Sequence, residues 1–521
     1  MMAVKDAYAY VDGSIVQWIA QVESPNSVSP MLPALASILF VIGGVIPFYG
    51  IFVSFLCLLG TVAATYGIAR VSGDKGIAVV SAVLVASAPV LVIYSRSFHF
   101  ALPATATTTL ALFCLVRSRQ AEKWLWTLAF GMFVGLMPLA RTMTLAFVPC
   151  MSVAALFYAL AAPDRRWSRF LRLVAAGVVA CLTAASWLAF NGIYVANYLL
   201  SFGYGARATE YGPKLAFIDS IMLEIYLLLQ DVYLPHFLIL VAGLVASAIL
   251  LVRAVRDKRG WGTLMASPLL PLSVFATLSF LALATSQNKG TAFSAPIVPA
   301  MLIVATWSIL RVSGAGFLRL SSIGALCVVS LLAFAPMVDL GTSIARPTWW
   351  NAGSLGRIAV TSGASTQQIY ERANGINRSA GEGPLSPEIA QEWKALNAQI
   401  LDLASPYVEK SRALAFGFRN AAFNVNTLGL VNSLRDQPPL ILAQIEPTVL
   451  GDDVDNQAAW LTSGTAGPAC VLLTSPGVEG DFRPYVNSET IEAAARKRGF
   501  AVVHTLPMPN GRELRFWARS C

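Results

Sequence analysis

The chain has 521 residues, of which 56% are hydrophobic and only 12% are charged. A soluble domain carries about 25% charged residues, so the composition excludes a wholly soluble protein and predicts a polytopic membrane protein with a soluble part. The net charge of +9 lies in residues 1–340, because acidic and basic residues cancel in 341–521. A basic excess confined to the apolar part indicates membrane topology and anionic lipid as a partner, with no nucleic acid.

The first predicted region, residues 1–48, is an acidic segment ahead of the membrane spans, with carboxylates at Asp6, Asp12 and Glu23. Its apolar run, residues 31–46, is too short to cross a bilayer comfortably. We therefore expect the segment to lie on the external membrane surface, with at least one carboxylate facing a cavity among the helices. If the protein is an enzyme, its general base is expected here.

The second predicted region, residues 49–340, is a transmembrane domain. Its apolar stretches are each near the length that crosses the hydrocarbon core. They predict about ten spans, at 49–70, 76–94, 99–117, 124–141, 145–162, 170–190, 235–254, 262–286, 292–311 and 317–340.

The orientation of these spans follows from their basic residues. Alternate connections hold 15 Lys and Arg residues, and the opposite connections with the N-terminal segment hold six. The richer connections are therefore cytoplasmic. The N-terminal segment, the loop 191–234 and residues 341–521 are then external, on a multi-pass protein of the cytoplasmic membrane.

This orientation places both ends of the sequence outside, although nothing before Lys5 resembles a signal peptide. One explanation is that a first transmembrane helix is missing upstream of this sequence. The alternative is that the short N-terminal segment crosses the membrane unaided.

The third predicted region, residues 341–521, has an ordinary composition. Short apolar runs at 413–418, 440–445 and 470–475 alternate with helical or loop segments, which predicts an external α/β domain. The end of the sequence reads as a hairpin with a type I′ turn at Asn510-Gly511.

Cations recur at the outer ends of the spans. Arg96, Arg141 and Lys289 lie at three outer turns, and Arg207 and Lys214 lie in the long external loop. Arginine binds phosphate through a planar fork and lysine binds it as a point charge, so together they suit a phosphate or pyrophosphate. The alternative is that each cation extends to the interface or pairs with a local carboxylate.

Tyr94 and His99 flank Arg96 and are candidates for contact with an acceptor or a phosphate, although His99 also fits an interfacial role with a backbone partner. Asp6 and Asp12 are the candidate bases, because removal of a proton from an acceptor hydroxyl needs a positioned carboxylate. An ordinary solvated charge is the competing interpretation for Asp12.

The order of these features resembles a known family. An external DAYAY segment precedes a proline-flanked juxtamembrane helix, and YSRSFHFALP, GLMPLARTMTLAFVP and KGTAFSAPIVPA follow. This order resembles the GT-C superfamily of integral-membrane glycosyltransferases, in the branch of protein mannosyltransferases and lipid A aminoarabinose transferases. The resemblance covers roughly residues 5–340.

The resemblance implies an external active site, a sugar donor carried on polyprenyl phosphate, and an Asp in the first external loop as base, which Asp6 matches best. The family's small-residue turn before a cation corresponds to Leu139-Ala140-Arg141. Ala101 stands at the position where members of the family often carry an acid. No cofactor is therefore assigned, and a requirement for a divalent metal stays an open alternative.

We therefore expect a glycosyltransferase that moves a sugar to a lipid-linked, glycan or protein acceptor, with inversion at the sugar carbon. The phosphate would be held by Arg96, Arg141 and Lys289, with Arg207 and Lys214 as further candidates. One alternative is a transporter or flippase for a lipid-linked glycan, and another is a non-catalytic GT-C-like scaffold.

A disulfide between Cys470 and Cys521 is the last expectation. They are the only two cysteines of the external domain. If their strands are antiparallel neighbours, the start of one lies beside the end of the other, within bonding distance. The alternative is two unrelated thiols.

Overall fold

The computed structural model describes most of the chain. The described residues are 15–22, 28–161, 164–205, 208, 214–256, 262, 265–290, 292–335, 348–351, 357–361, 387–408, 413–418, 420, 423–435, 440–445, 451–463, 468–476 and 488–520. The chain divides into two compact units. We call Asp6–Tyr204 with Lys214–Ile369 the helical unit, and Met1–Lys5, Gly205–Pro213 and Tyr370–Cys521 together the sheet unit.

The helical unit is built from apolar helices around one continuous core. In chain order the helices are α1 Ile15–Val22, α2 Met31–Gly43, α3 Pro47–Ser72, α4 Lys75–Ala86, α5 Pro89–Tyr94, α6 Ala101–Arg117, α7 Trp124–Ala140, α8 Phe147–Leu160, α9 Arg166–Gly203, α10 Phe217–Arg256, α11 Leu270–Thr285, α12 Val298–Val312 and α13 Phe317–Phe334.

Five stretches in the described part of the chain are long and apolar enough to cross a membrane: Phe48–Ser72, Thr142–Leu160, Arg166–Gly203, Phe217–Arg256 and Phe317–Phe334. The prediction of a polytopic α-helical membrane protein is therefore confirmed. The other predicted spans correspond to shorter apolar helices, and the span 76–94 divides into α4 and α5 where Pro89 starts a new helix.

Residues 191–234, which we expected to be a long loop, are largely helical. α9 continues to Gly203 and α10 begins at Phe217. The predicted spans stopped where polar residues appear, but those residues are scattered among apolar ones that continue to suit a helix. α10 bends at Tyr233, which has a φ of 59°, just before Pro235.

Two helices show close backbone packing inside this unit. A Cβ built on Gly131 of α7 would lie 2.1 Å from the carbonyl oxygen of Ala176 in α9, and one on Gly135 would lie 2.4 Å from that of Ala180. Small residues four apart allow the backbones of membrane helices to approach this closely.

An antiparallel strand pair follows the helices, with β1 at Thr348–Asn351 and β2 at Arg357–Thr361. We expected residues from 341 onward to form the external domain. These two strands instead group with the helical unit, where β2 packs along α10.

The sheet unit has a five-stranded sheet with helices between its strands. Its elements are α14 Pro387–Ala404, β3 Ala413–Phe416, α15 Val425–Ser433, β4 Ile441–Gln444, α16 Val454–Ser463, β5 Ala469–Thr474, α17 Ser488–Lys497, β6 Ala501–Pro507 and β7 Glu513–Ala518. The strand order is β4-β3-β5-β7-β6. β3 is parallel to both β4 and β5, and β7 is antiparallel to both β5 and β6.

The hairpin of β6 and β7 is present, but the prediction of a type I′ turn is wrong. Gly511 has a φ of 80°, whereas Asn510 is not among the residues with positive φ. Gly511 N donates to Met508 O, and Met508 N donates to Arg512 O, which encloses a three-residue loop. Such a loop needs a left-handed residue only at its last position.

The expected strand neighbourhood around Cys470 is present. β5 and β7 pair antiparallel, Val471 lies opposite Ala518, and Arg519 N donates to Cys470 O at 3.1 Å. Cys470 is disulfide-bonded. Its expected partner, Cys521, lies outside the described residues, and the five cysteines of the helical unit are free thiols.

Candidate active site

The arginine at the end of α7 is held by a neighbouring connection. α7 ends at Ala140, and Arg141 follows with an extended backbone. Arg141 Nη1 donates a 3.0 Å hydrogen bond to the carbonyl oxygen of Ala292, and its Cζ lies 4.8 Å from the Phe293 ring centroid. Among the described residues, no carboxylate forms an ion pair with this guanidinium.

A cavity of about 330 Å³ lies beside Arg141. Its walls come from the end of α9, the end of α11, the turn after α7 and the connections before α2 and α6. The lining residues are Val28, Ser29, His99, Phe100, Arg141, Thr142, Met143, Ala146, Tyr198, Leu199, Phe202, Gly203, Tyr204, Ala282, Leu283, Ser286, Asn288 and Phe293. Most are apolar, so the site combines a guanidinium with a hydrocarbon-like wall.

His99 enters the cavity from the turn between α5 and α6. Its ring packs 4.4 Å from the Tyr94 ring, and its Nδ1 accepts a 3.2 Å hydrogen bond from Ala101 N. Because Nδ1 acts as the acceptor, the neutral ring carries its proton on Nε2. His99 and Arg141 both line the cavity, so a ligand bound there would meet a histidine and a guanidinium.

The predicted cations do not share one environment. Lys289 Nζ lies 3.4 Å from Glu224 Oε2 and donates to Leu283 O at 2.6 Å. Arg96 has two buried nitrogens without a hydrogen-bond partner in the described part of the chain, but it does not line the cavity. Lys214 is exposed.

Asp6, Asp12 and Arg207 lie outside the described residues. In the described part of the chain, no group of His, Cys, Asp or Glu side chains could hold a metal ion.

Sequence reasoning missed two buried acids in α10. Asp231 is 5% exposed and Glu224 is 3% exposed. They are seven residues apart, which is two helical turns and about 10 Å along one helix face. This spacing within an apolar stretch is a signal that the sequence carries, but the prediction of a loop over 191–234 hides it. Neither acid lines the cavity.

Asp231 holds the connection between α11 and α12. Its carboxylate oxygens accept hydrogen bonds from Ala292 N at 2.9 and 3.0 Å and from Ser294 Oγ at 2.5 Å. Ala292 therefore binds Asp231 through its N–H and Arg141 through its carbonyl. Its φ of 63° is uncommon for a residue with a side chain, and these contacts hold it there.

Residues 27–190 match the model of a family described as dolichyl-phosphate-mannose-protein mannosyltransferase. Among solved structures, the chain is similar to ArnT from Cupriavidus metallidurans bound to undecaprenyl phosphate. The TM-score is 0.53 with 14% sequence identity, over 94% of this chain and 88% of ArnT.

The chain also has a lower similarity to the archaeal oligosaccharyltransferase AglB from Archaeoglobus fulgidus, in complex with an inhibitory peptide and a dolichol-phosphate. The TM-score is 0.46 with 13% identity, over 86% of this chain and 61% of AglB. No curated protein sequence matches the chain.

Proposed function

We propose that this chain, whose fold is that of the GT-C membrane glycosyltransferases, transfers a sugar from a polyprenyl-phosphate donor to a lipid-linked, glycan or protein acceptor. The reaction would take place on the outer side of the cytoplasmic membrane. The 15-to-6 division of basic residues between alternate connections supports this orientation.

The observation that carries the proposal is Arg141 at an apolar cavity. A guanidinium has five N–H donors. In the described structure, Arg141 Nη1 donates one hydrogen bond, to the carbonyl oxygen of Ala292. The other donors suit a phosphate, for which arginine forms paired, charge-assisted hydrogen bonds. The apolar side chains of α9 and α11, such as Phe202 and Leu283, suit the first part of a prenyl chain.

In the proposed reaction, an oxygen of the acceptor attacks the anomeric carbon of the sugar. The bond from that carbon to the phosphate oxygen breaks, and polyprenyl phosphate leaves with the electron pair. The acceptor's proton passes to a carboxylate, and Arg141 stabilises the charge that grows on the leaving phosphate. A single displacement inverts the configuration at the sugar carbon.

The base is proposed to be Asp6, with Asp12 as the second candidate. Asp231 and Glu224 are poor candidates, because neither lines the cavity and both have fixed partners in Ala292, Ser294 and Lys289. The same fixed partners do not favour the alternative of an ion-coupled transporter, which needs groups that can exchange a bound ion.

The test is a transfer assay with radiolabelled undecaprenyl-phosphate-linked sugars on membranes that contain the full chain. A general base contributes about a hundred- to ten-thousand-fold, so Asp6→Asn should lose activity by that factor at normal abundance. Asp12→Asn separates the two candidate bases and should keep near-full activity if Asp6 is the base. Near-full activity of Asp6→Asn with loss in Asp12→Asn would move the base to Asp12, and no transfer by the wild type with any donor would refute the function.

A further inference from the structure

We infer that Asp231 is a positioning residue that sets the Arg141 guanidinium at the cavity, through the backbone of Ala292. The inference rests on the proposed function for its consequence in donor binding. The positioning of Arg141 by Asp231 does not depend on that function. It is argued from two hydrogen bonds within the helical unit, from Ala292 N to Asp231 and from Arg141 to Ala292 O.

The first step of the argument is the chemistry of the carboxylate. Asp231 is buried, and the contacts described for its oxygens are the amide of Ala292 and the hydroxyl of Ser294. A buried carboxylate is costly unless its oxygens are hydrogen-bonded. The connection between α11 and α12 is therefore stabilised in the conformation that turns Ala292 N–H and the Ser294 hydroxyl toward Asp231.

The second step is the geometry of Ala292. A residue held at φ 63° has little freedom once its N–H is fixed, because this backbone region is small for residues with a side chain. Its carbonyl then points in a set direction, and Arg141 Nη1 lies 3.0 Å from that oxygen. Phe293, the next residue, lies under the guanidinium, so one short segment provides both contacts.

The third step separates Asp231 from the neighbouring acid. Glu224 lies on the same helix and is equally buried, but it pairs with Lys289 and makes no hydrogen bond to Ala292 or Ser294 in the described structure. If burial of a carboxylate in α10 were all that mattered, the two acids would behave alike. If positioning matters, only Asp231 should affect Arg141.

The primary test measures how fast phenylglyoxal, an arginine-specific reagent, modifies Arg141 in the purified full chain, with peptide mass spectrometry as the readout. Asp231→Asn should raise that rate several-fold, because one of the two oxygens that hold Ala292 N and Ser294 Oγ is replaced by a donor, and the Ala292 carbonyl is then held less firmly toward Arg141. Glu224→Gln is the matched control and should leave the rate within about twofold of wild type. An unchanged rate in Asp231→Asn, or an equal rise in both variants, would overturn the inference.

A second measurement links the inference to the ligand. Binding of undecaprenyl phosphate is compared in wild type, Asp231→Asn, Arg141→Ala and the double variant. Asp231→Asn should weaken binding about tenfold alone and cause no further loss when Arg141 is absent, because residues that act through one contact are not additive. Fully additive losses would contradict an action through Arg141.

Two remaining outcomes are also decisive. If Asp231→Asn does not fold, Ser294→Ala removes one hydrogen bond and keeps the carboxylate, and it should raise the phenylglyoxal rate at Arg141 by a smaller factor; no rise would overturn the inference. If wild type does not bind undecaprenyl phosphate but Asp231→Asn still changes Arg141 reactivity, the positioning role stands and the proposed function fails.

Discussion

Arg141 is a charged side chain in a largely apolar place, and its described contacts are few. It has one carbonyl oxygen and one aromatic face as partners in the described part of the chain. Arg141 is half-buried, and taking a cation even partly out of water is costly unless its donors are satisfied. A bound phosphate would supply both the counter-charge and the missing acceptors.

We predict that Arg141→Ala weakens binding of undecaprenyl phosphate by about ten- to a hundredfold, because a hydrogen bond to a charged group contributes about 1.5–3 kcal/mol. Arg141→Lys should recover part of the loss, since lysine keeps the charge but not the planar fork. The measurement is equilibrium binding to the purified full chain.

Arg117→Ala is the matched control for this prediction. Arg117 also lies over aromatic rings, those of Phe113 and Trp126, but it does not line the cavity. Its removal should leave binding unchanged. Equal losses in the two alanine variants would assign the effect to packing rather than to phosphate recognition.

Some residues at the cavity could be picked out of the sequence, and others could not. Arg141 and His99 were recognisable because a cation and a histidine stand at outer turns of apolar spans. The proposed effect of Asp231 on Arg141 depends on a hydrogen bond to Ala292, which lies sixty-one residues further along the chain. A local sequence pattern cannot predict a contact of this kind. The predicted convergence of Arg96 and Lys289 on the phosphate stays a prediction.

At the scale of helices, the seam between α7 and α9 depends on the absence of side chains. Backbone oxygens of α9 would lie within 2.1 and 2.4 Å of a Cβ on Gly131 and Gly135, and backbone atoms cannot turn aside as a side chain can. The sequence GMFVG (131–135) carries the small-residue spacing typical of close membrane-helix pairs, so this contact was open to prediction.

We predict that Gly131→Ala destabilises the helical unit by about 1–3 kcal/mol, the usual cost of forcing extra atoms into a packed interior. The measurement is the midpoint of thermal unfolding in detergent. Gly177→Ala in α9 is the control, because nothing lies within 4 Å of its Cβ position. It should be neutral or slightly stabilising, since alanine favours a helix. A lower midpoint for the control alone would contradict the packing argument.

Helices were predicted well where apolar residues run without interruption. The juxtamembrane helix expected within 31–46 is present as α2. The predictions failed where a helix carries polar residues at intervals, as at both ends of 191–234, because local composition does not distinguish a solvated loop from a helix whose polar groups are satisfied elsewhere in the fold.

At the scale of the whole molecule, the orientation in the membrane is a proposal that labelling can test. With a membrane-impermeant maleimide on intact cells, Ser463→Cys in the sheet unit should be labelled and Ser168→Cys, near the start of α9, should not. Both should react in permeabilised cells. Labelling of Ser168→Cys in intact cells would reverse the topology, and the unsubstituted chain gives the background.

The disulfide at Cys470 should contribute to the stability of the sheet unit. We predict that non-reducing peptide mapping joins Cys470 to Cys521, and that Cys470→Ser lowers stability by about 2–5 kcal/mol, as loss of a native disulfide usually does. Cys181→Ser, which removes a free thiol from α9, is the control. A peptide map that finds Cys470 unbonded would remove the basis of this prediction.

The place of β7 in its sheet has a consequence for biosynthesis. β7 comes last among the described strands, yet it lies between β5 and β6 and pairs with both. The sheet cannot close until the ribosome has made every residue through Ala518, so the nascent chain exposes unpaired strand edges that invite aggregation. A nonsense codon before residue 513 would therefore remove the strand that joins β6 to the sheet, rather than trim a dispensable tail.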